Sequence, residues 1–155
     1  MRVSVITISD RASRGEYEDL SGAELEREVL TRFPGSIVTR HLAADEVPQI
    51  LAALEAASDS DFILTSGGTG IGPRDVTPEA SRQFCDREIP GIAEALRAHS
   101  LAETPAAMLS RGIAGVRGSC IVVNLPGSPK AVRRCMEALG PVMEHALAML
   151  RGEGH

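Results

Sequence analysis

Aromatic side chains are nearly absent from this sequence, which has no tryptophan, one tyrosine and three phenylalanines in 155 residues. Proteins that grip single-stranded nucleic acid stack successive bases on such rings, and this chain has too few to build that platform. Excess positive charge is missing too: the net charge is −5 at pH 7, so there is no electrostatic footprint for a nucleic-acid backbone. No apolar run is long enough to span a bilayer. Nucleic acid and membrane are therefore not expected as partners. Met1-Arg2-Val3 enters a strand-like pattern directly, which leaves no room for a signal peptide. Cys85, Cys120 and Cys135 form no C-x-x-C pair and have no histidine at metal-ligand spacing. A reducing cytoplasm fits that usage, with Cys120 and Cys135 on apolar faces reading as core. Without an internal repeat or low-complexity linker, residues 1–155 read as one domain long enough to bury a core.

What the chain does have is a dense polar stretch, Thr65-Ser66-Gly67-Gly68-Thr69-Gly70-Ile71-Gly72-Pro73-Arg74-Asp75-Val76-Thr77-Pro78, after the apolar run Phe62-Ile63-Leu64. So few apolar residues cannot form core. Glycine lets a backbone approach an anion and turn its N–H groups toward it, so the stretch reads as an anion-binding loop leaving the C-terminal end of a buried strand. Two familiar phosphate motifs are excluded. No lysine follows the glycines as a P-loop requires, and Gly68-Thr69-Gly70-Ile71-Gly72 has the wrong spacing for a dinucleotide fingerprint.

Around that loop, strands and helices alternate. Val3–Ile8, Ser36–Leu42, Asp61–Thr65 and Cys120–Val123 carry strand signals, the second the weakest. Leu25, Val29 and Phe33 predict a helix ending at Pro34-Gly35, and Val47, Ile50, Leu51 and Leu54 predict another. Thr77-Pro78 reads as an N-cap followed by proline in the first turn, as does Thr104-Pro105. Ile89 to Leu96 mark a further helix. Val132 to Leu139 and Val142 to Leu150 read as two more, divided at Gly140-Pro141, and Gly112–Gly118 reads as a turn region. The alternation predicts an α/β fold with a mostly parallel sheet and helices on both faces. If the second strand is parallel, polar loops beginning at Ser9, Leu42, Ser66 and Asn124 line one crevice.

Two carboxylates, Asp45 and Asp75, fall on that predicted edge. Hard divalent cations take oxygen ligands, and nucleotidyl transfer needs such a cation beside the reacting phosphorus. Together the aspartates read as a magnesium-nucleotide site, with Arg74 holding phosphate oxygens or stabilising charge in the transition state. Taken singly, each has a plainer reading: Asp45 as a helix cap, Asp75 as a brace within its loop, Arg74 as a solvated or salt-bridged side chain, Ser128 as a helix start.

Several loops together resemble the MogA/MoaB molybdenum cofactor biosynthesis proteins. The resemblance rests on Ile8-Ser9-Asp10-Arg11-Ala12-Ser13-Arg14-Gly15, on Thr65–Gly70 with Arg74–Ala80, on Leu109-Ser110-Arg111, and on Asn124-Leu125-Pro126-Gly127-Ser128-Pro129. It implies a three-layer α/β/α sandwich, a homotrimer, and adenylylation of molybdopterin by Mg²⁺-ATP with release of pyrophosphate. Carried over residue by residue, it makes Asp45 and Asp75 the catalytic, magnesium-holding pair. Asp10, Ser66, Gly67, Gly68, Thr69, Gly70, Arg74, Pro126, Gly127 and Ser128 become substrate contacts, and the downstream molybdate-insertion protein becomes a partner. The competing readings are a non-catalytic molybdopterin-binding protein and an unrelated nucleotide-binding α/β enzyme.

Overall fold

A computed structural model describes residues 1–153. Its sheet has six strands, β1 (Arg2–Ile8), β2 (Ile37–Ala43), β3 (Phe62–Ser66), β4 (Arg87–Glu88), β5 (Ala114–Arg117) and β6 (Cys120–Leu125), in the order β2-β1-β3-β6-β5-β4. The first four in that order are parallel, while at the other edge β5 pairs antiparallel with β6 and β4 antiparallel with β5. The helices are α1 (Asp10–Ser13), α2 (Leu20–Arg32), α3 (Val47–Ala56), α4 (Thr77–Phe84), α5 (Pro90–Leu101) and α6 (Pro129–Leu150), with a 3-10 turn over Pro105–Leu109.

The near-continuous apolar strands are buried on both faces because each face packs a separate core. Val3 and Val5 of β1, Phe62 and Leu64 of β3, and Ile121 and Val123 of β6 point to one side, against Leu25 and Val29 of α2, Leu96 of α5 and Met136, Leu139 and Met143 of α6. Ile6, Ile8, Ile63 and Val122, one residue out of phase, meet Ile50 and Leu54 of α3 and Ala80 and Phe84 of α4. The period of two along a strand thus makes the three layers. Each buried Leu or Ile contributes about 1.5–3 kcal/mol by leaving water.

Beneath the mouth of the sheet's C-terminal edge, buried Asn124 locks the strands in register. Its Nδ2 donates to Thr65 Oγ1 (3.0 Å) and Ser81 Oγ (2.8 Å), and its Oδ1 accepts from Ile113 N (3.2 Å). One amide joins β3, α4 and the segment entering β5.

Several expectations change. The region 112–118 contains strand β5, paired to β6 through the turn Gly118-Ser119, with Gly118 at φ +56° as the first position of a type II′ hairpin turn requires. Four residues with one glycine inside and another directly after them carry too weak an alternation to read as a strand. α6 runs unbroken through Pro141, because its apolar stripe continues across the proline and tertiary packing of Leu139, Met143 and Leu147 outweighs the lost hydrogen bond. α2 stops at Arg32, before Pro34. The long polar loop after β1 holds the short helix α1, capped by Ser9. Thr77 is not an N-cap; the cap position is Val76, and Thr77 is the first residue of α4. Among the described residues no helix is long and apolar enough to cross a membrane.

Candidate active site

From β1 the chain moves to one side to make β2, whereas β3 lies on the other side of β1. Their outgoing loops therefore diverge at β1 and β3, the switch point where open α/β sheets bind ligands. With β2 parallel to β1, the loops after β1, β2, β3 and β6 share that edge. Gly67 sits at φ +103°, and a Cβ there would lie 2.3 Å from the Ile8 carbonyl oxygen. Only glycine permits this backbone-to-backbone approach. On the other side Gly67 N–H donates to Leu125 O (3.1 Å), and buried Ser66 donates its hydroxyl to Pro126 O (3.0 Å). A Cβ on Gly127 would approach Gly67 Cα to 3.3 Å. Ser66, Gly67, Pro126 and Gly127 thus knit the central loop to its neighbours, while Ser128 caps α6 by accepting from Ala131 N (3.2 Å).

The remaining glycines make room for carboxylates. A Cβ on Gly68 would meet Thr77 Oγ1 at 2.3 Å and Asp45 Oδ1 at 3.0 Å. On Gly70 or Gly72 it would meet Asp75 Oδ2 at 2.8 or 2.9 Å. From sequence these glycines read as an approach for an anion from outside; in the fold they also admit the protein's own two aspartates. Thr77 completes the loop, donating its hydroxyl to Gly67 O (2.9 Å) and its N–H to Gly68 O (3.1 Å).

Asp45 does not cap α3, whose cap position is Glu46. It is half-buried and clasped to Asp10: Asp10 N–H donates to Asp45 Oδ2 (2.8 Å), and Asp45 N–H donates to Asp10 Oδ1 (3.0 Å). Burial pushes the Asp45 carboxyl above its ordinary pKa, and the charges of Asp10 and Asp75 push in the same direction. Asp10 also takes a two-pronged ion pair from Arg74, Nε to Oδ2 at 3.0 Å and Nη2 to Oδ1 at 2.9 Å, which holds its pKa low. Arg74 stands 3.6 Å from Glu46 as well. Arg74 is thus salt-bridged across the mouth of the site.

Asp75 braces its own loop, accepting from Gly72 N (2.8 Å) while Asp75 N–H donates to Gly72 O (3.0 Å). Among the described residues no donor reaches Asp45 Oδ1 or Asp75 Oδ1, and no acceptor takes the N–H groups of Gly68, Thr69 and Gly70. Unshared carboxylate oxygens beside unshared N–H groups can hold a hard cation and the oxyanions that accompany it. No group of three or more His, Cys, Asp or Glu among the described residues could hold a metal by protein alone. Two carboxylates match magnesium, which keeps waters and takes its other ligands from phosphates. A cavity of about 340 Å³ opens alongside, lined by Thr69, Gly70, Leu109, Pro126, Ser128 and Lys130 among others.

Two residues that hold this loop carry no such role in the sequence pattern. Thr77 reads there as a cap. Arg111 lies in a matching motif, yet nothing in the spacing from residue 70 to residue 111 indicates that they touch.

A family model described as a probable molybdopterin binding domain matches residues 4–145. Among curated relatives, the molybdopterin adenylyltransferase of Helicobacter pylori (strain J99) is 40% identical over 98% of this chain and 89% of that protein. The one from Escherichia coli (strain K12) is 36% identical over 95% and 80%. Among solved structures, the molybdopterin biosynthesis enzyme MoaB from Thermus thermophilus superposes with a TM-score of 0.86 at 44% identity, covering 98% of this chain and 97% of that one. The glycine loop, its paired aspartates and the loops around them thus sit in the fold that their motifs predicted, and the chain belongs to the family of probable molybdopterin binding domains.

Proposed function

We propose that this protein, acting as one domain over residues 1–155, is a molybdopterin adenylyltransferase. The terminal phosphate of molybdopterin attacks the α-phosphorus of ATP; a new P–O–P bond forms, the α–β bridge breaks, and pyrophosphate leaves with the electron pair. The observation that carries this reading is the convergence of Asp45 and Asp75, each with an unshared oxygen, beside the free N–H groups of Gly68, Thr69 and Gly70. Relatives named for this activity, aligned over nearly the whole chain, support it.

The attacking phosphate is already a nucleophile, so positioning and charge neutralisation supply most of the acceleration. Asp45 and Asp75 would hold Mg²⁺, which when bound neutralises charge on the triphosphate. Burial raises the Asp45 pKa, and the neighbouring carboxylates add to it, an electrostatic cost that a cation held there would offset. The N–H groups of residues 68–70 orient phosphate oxygens. Arg74 exchanges Asp10 for phosphate when substrate enters, leaving Asp10 to hold Asp45 in place through the two-way backbone clasp. The cavity beside Thr69 and Pro126 is of a size that takes a small heterocycle and receives the pterin.

As partners we propose two further copies of the chain, forming a homotrimer, and the molybdate-insertion protein that consumes the product. An apolar groove of about 570 Å³ between α5 and α6, lined by Ile92, Val142, Ala146 and Met149 among others, supports self-association. Three free cysteines support a reducing, cytoplasmic setting.

The test is incubation with molybdopterin, ATP and Mg²⁺. Pyrophosphate is expected in equal amount to adenylyl-molybdopterin. Bound molybdopterin with no pyrophosphate above background would leave a binding protein instead.

A further inference from the structure

Arg111 reaches the central loop from the segment between the 3-10 turn and β5. Its Nε donates to Gly70 O (2.7 Å) and its Nη2 to Asp75 O (2.6 Å). Both Nη atoms also meet the Glu79 carboxylate on α4, and Arg111 N–H donates to Thr69 O (2.8 Å). One planar guanidinium therefore holds the first and last carbonyls of the segment 70–75. That segment contains two glycines, belongs to no helix or strand, and exposes Ile71 to solvent. Its internal ties are the two bonds between Gly72 and Asp75, which fix the turn's shape but not its place on the protein. Apart from the solvent-facing ion pair of Arg74, its hydrogen bonds to the rest of the fold lie at its two ends, and Arg111 makes both.

We propose that Arg111 is a positioning residue that sets the Asp75 carboxylate by clamping both ends of the 70–75 loop. This rests on the reading of Asp75 as a catalytic carboxylate. The chemistry needs arginine: a rigid fork with five donors spans two carbonyls and a carboxylate, whereas an ammonium is a point charge that satisfies Glu79 alone. Arg111 itself contacts no substrate; it acts through where Asp75 sits.

The test compares Arg111→Ala, Arg111→Lys and Glu79→Gln in the full chain, with two readouts. In turnover, both arginine variants are expected to lose about 10²-fold in kcat, the scale of an ångström of misplacement, with KM for molybdopterin within about twofold. The Mg²⁺ concentration giving half-maximal rate rises in both. Glu79→Gln leaves kcat within a few-fold, because Arg111 keeps its two carbonyls. In amide hydrogen exchange, residues 70–76 open faster in Arg111→Ala and Arg111→Lys, while the strands keep wild-type protection. A purely structural Arg111–Glu79 ion pair would predict otherwise: Lys would rescue, and Glu79→Gln would match Arg111→Ala. Either result, or unchanged exchange over 70–76, overturns the clamp. Should the wild-type protein release no pyrophosphate, the adenylyl-transfer reading fails, and the exchange measurement still decides the clamp by itself.

Discussion

Asp45 and Asp75 face one site, but the fold positions them by different means. Asp45 leaves β2 on a short connection, is half-buried, and is locked to Asp10 through two reciprocal backbone bonds. Its geometry comes with a desolvated carboxylate whose pKa is raised by burial. Asp75 lies on a long glycine-rich loop, curls back on Gly72, and accepts a hydrogen bond at its carbonyl from Arg111 outside the loop. One carboxylate is held by a neighbouring strand's loop and is partly desolvated; the other is held within its own loop, by glycines that leave it room.

The largest effect that would test this contrast comes from removing either charge. Asp45→Asn and Asp75→Asn are each expected to lower kcat by about 10²–10³-fold, the scale seen when a charge-stabilising group is removed, while both proteins keep wild-type circular dichroism. A cap or a mere loop brace would tolerate asparagine, so near-normal turnover in both variants would sink the paired-carboxylate site.

Next in size are the glycines. A Cβ at Gly70 collides with Asp75 Oδ2, and one at Gly68 collides with Thr77 Oγ1 in a backbone at φ +63°. Gly70→Ala is expected to cut kcat by roughly tenfold with little change in melting temperature, since only the end of one side chain must shift. Gly68→Ala should lower both, because backbone strain and a buried threonine are involved. Equal effects on stability in the two would mean that the 70–75 loop is no freer than the Gly67–Gly68 turn.

Smallest and most diagnostic is a stability difference. A carboxyl whose folded pKa is raised costs stability at pH values above that pKa, and the cost fades as pH falls through it. Asp45→Asn keeps an oxygen for the Asp10 N–H yet removes the charge, so its melting temperature should exceed wild type at pH 7, with the advantage shrinking toward acid. Thermal melts between pH 7 and pH 4 would show this. A lower melting temperature at every pH would mean that the Asp45 charge stabilises the fold.

How much of this could be read from the sequence differed by kind of contact. The interior strands β1, β3 and β6 were visible because burial on both faces leaves near-continuous apolar runs such as Val3–Ile8, whereas the exposed edge strand β2 gave the weakest signal. β5 was not visible, since Ala114-Gly115-Val116-Arg117 has neither alternation nor a long apolar run and owes its strand state to pairing with β6. Asp45 and Asp75 could be placed at one edge because strand-exit loops of parallel strands collect there, a rule of topology. The clasp to Asp10, the bond from Thr77 to Gly67 and the reach of Arg111 could not be read from the sequence: the first and last join residues far apart in sequence, and none of the three carries a periodic signal. Pro141 misled for a related reason: a local breaker was overridden by distant packing.

The most direct measurement is single-turnover formation of adenylyl-molybdopterin by wild type, Asp45→Asn and Asp75→Asn across a Mg²⁺ titration, with molybdopterin binding measured alongside. A saturable Mg²⁺ dependence in the wild type, and loss of product in both variants while molybdopterin still binds, is the predicted result. Product forming at the wild-type rate without either carboxylate would contradict the account.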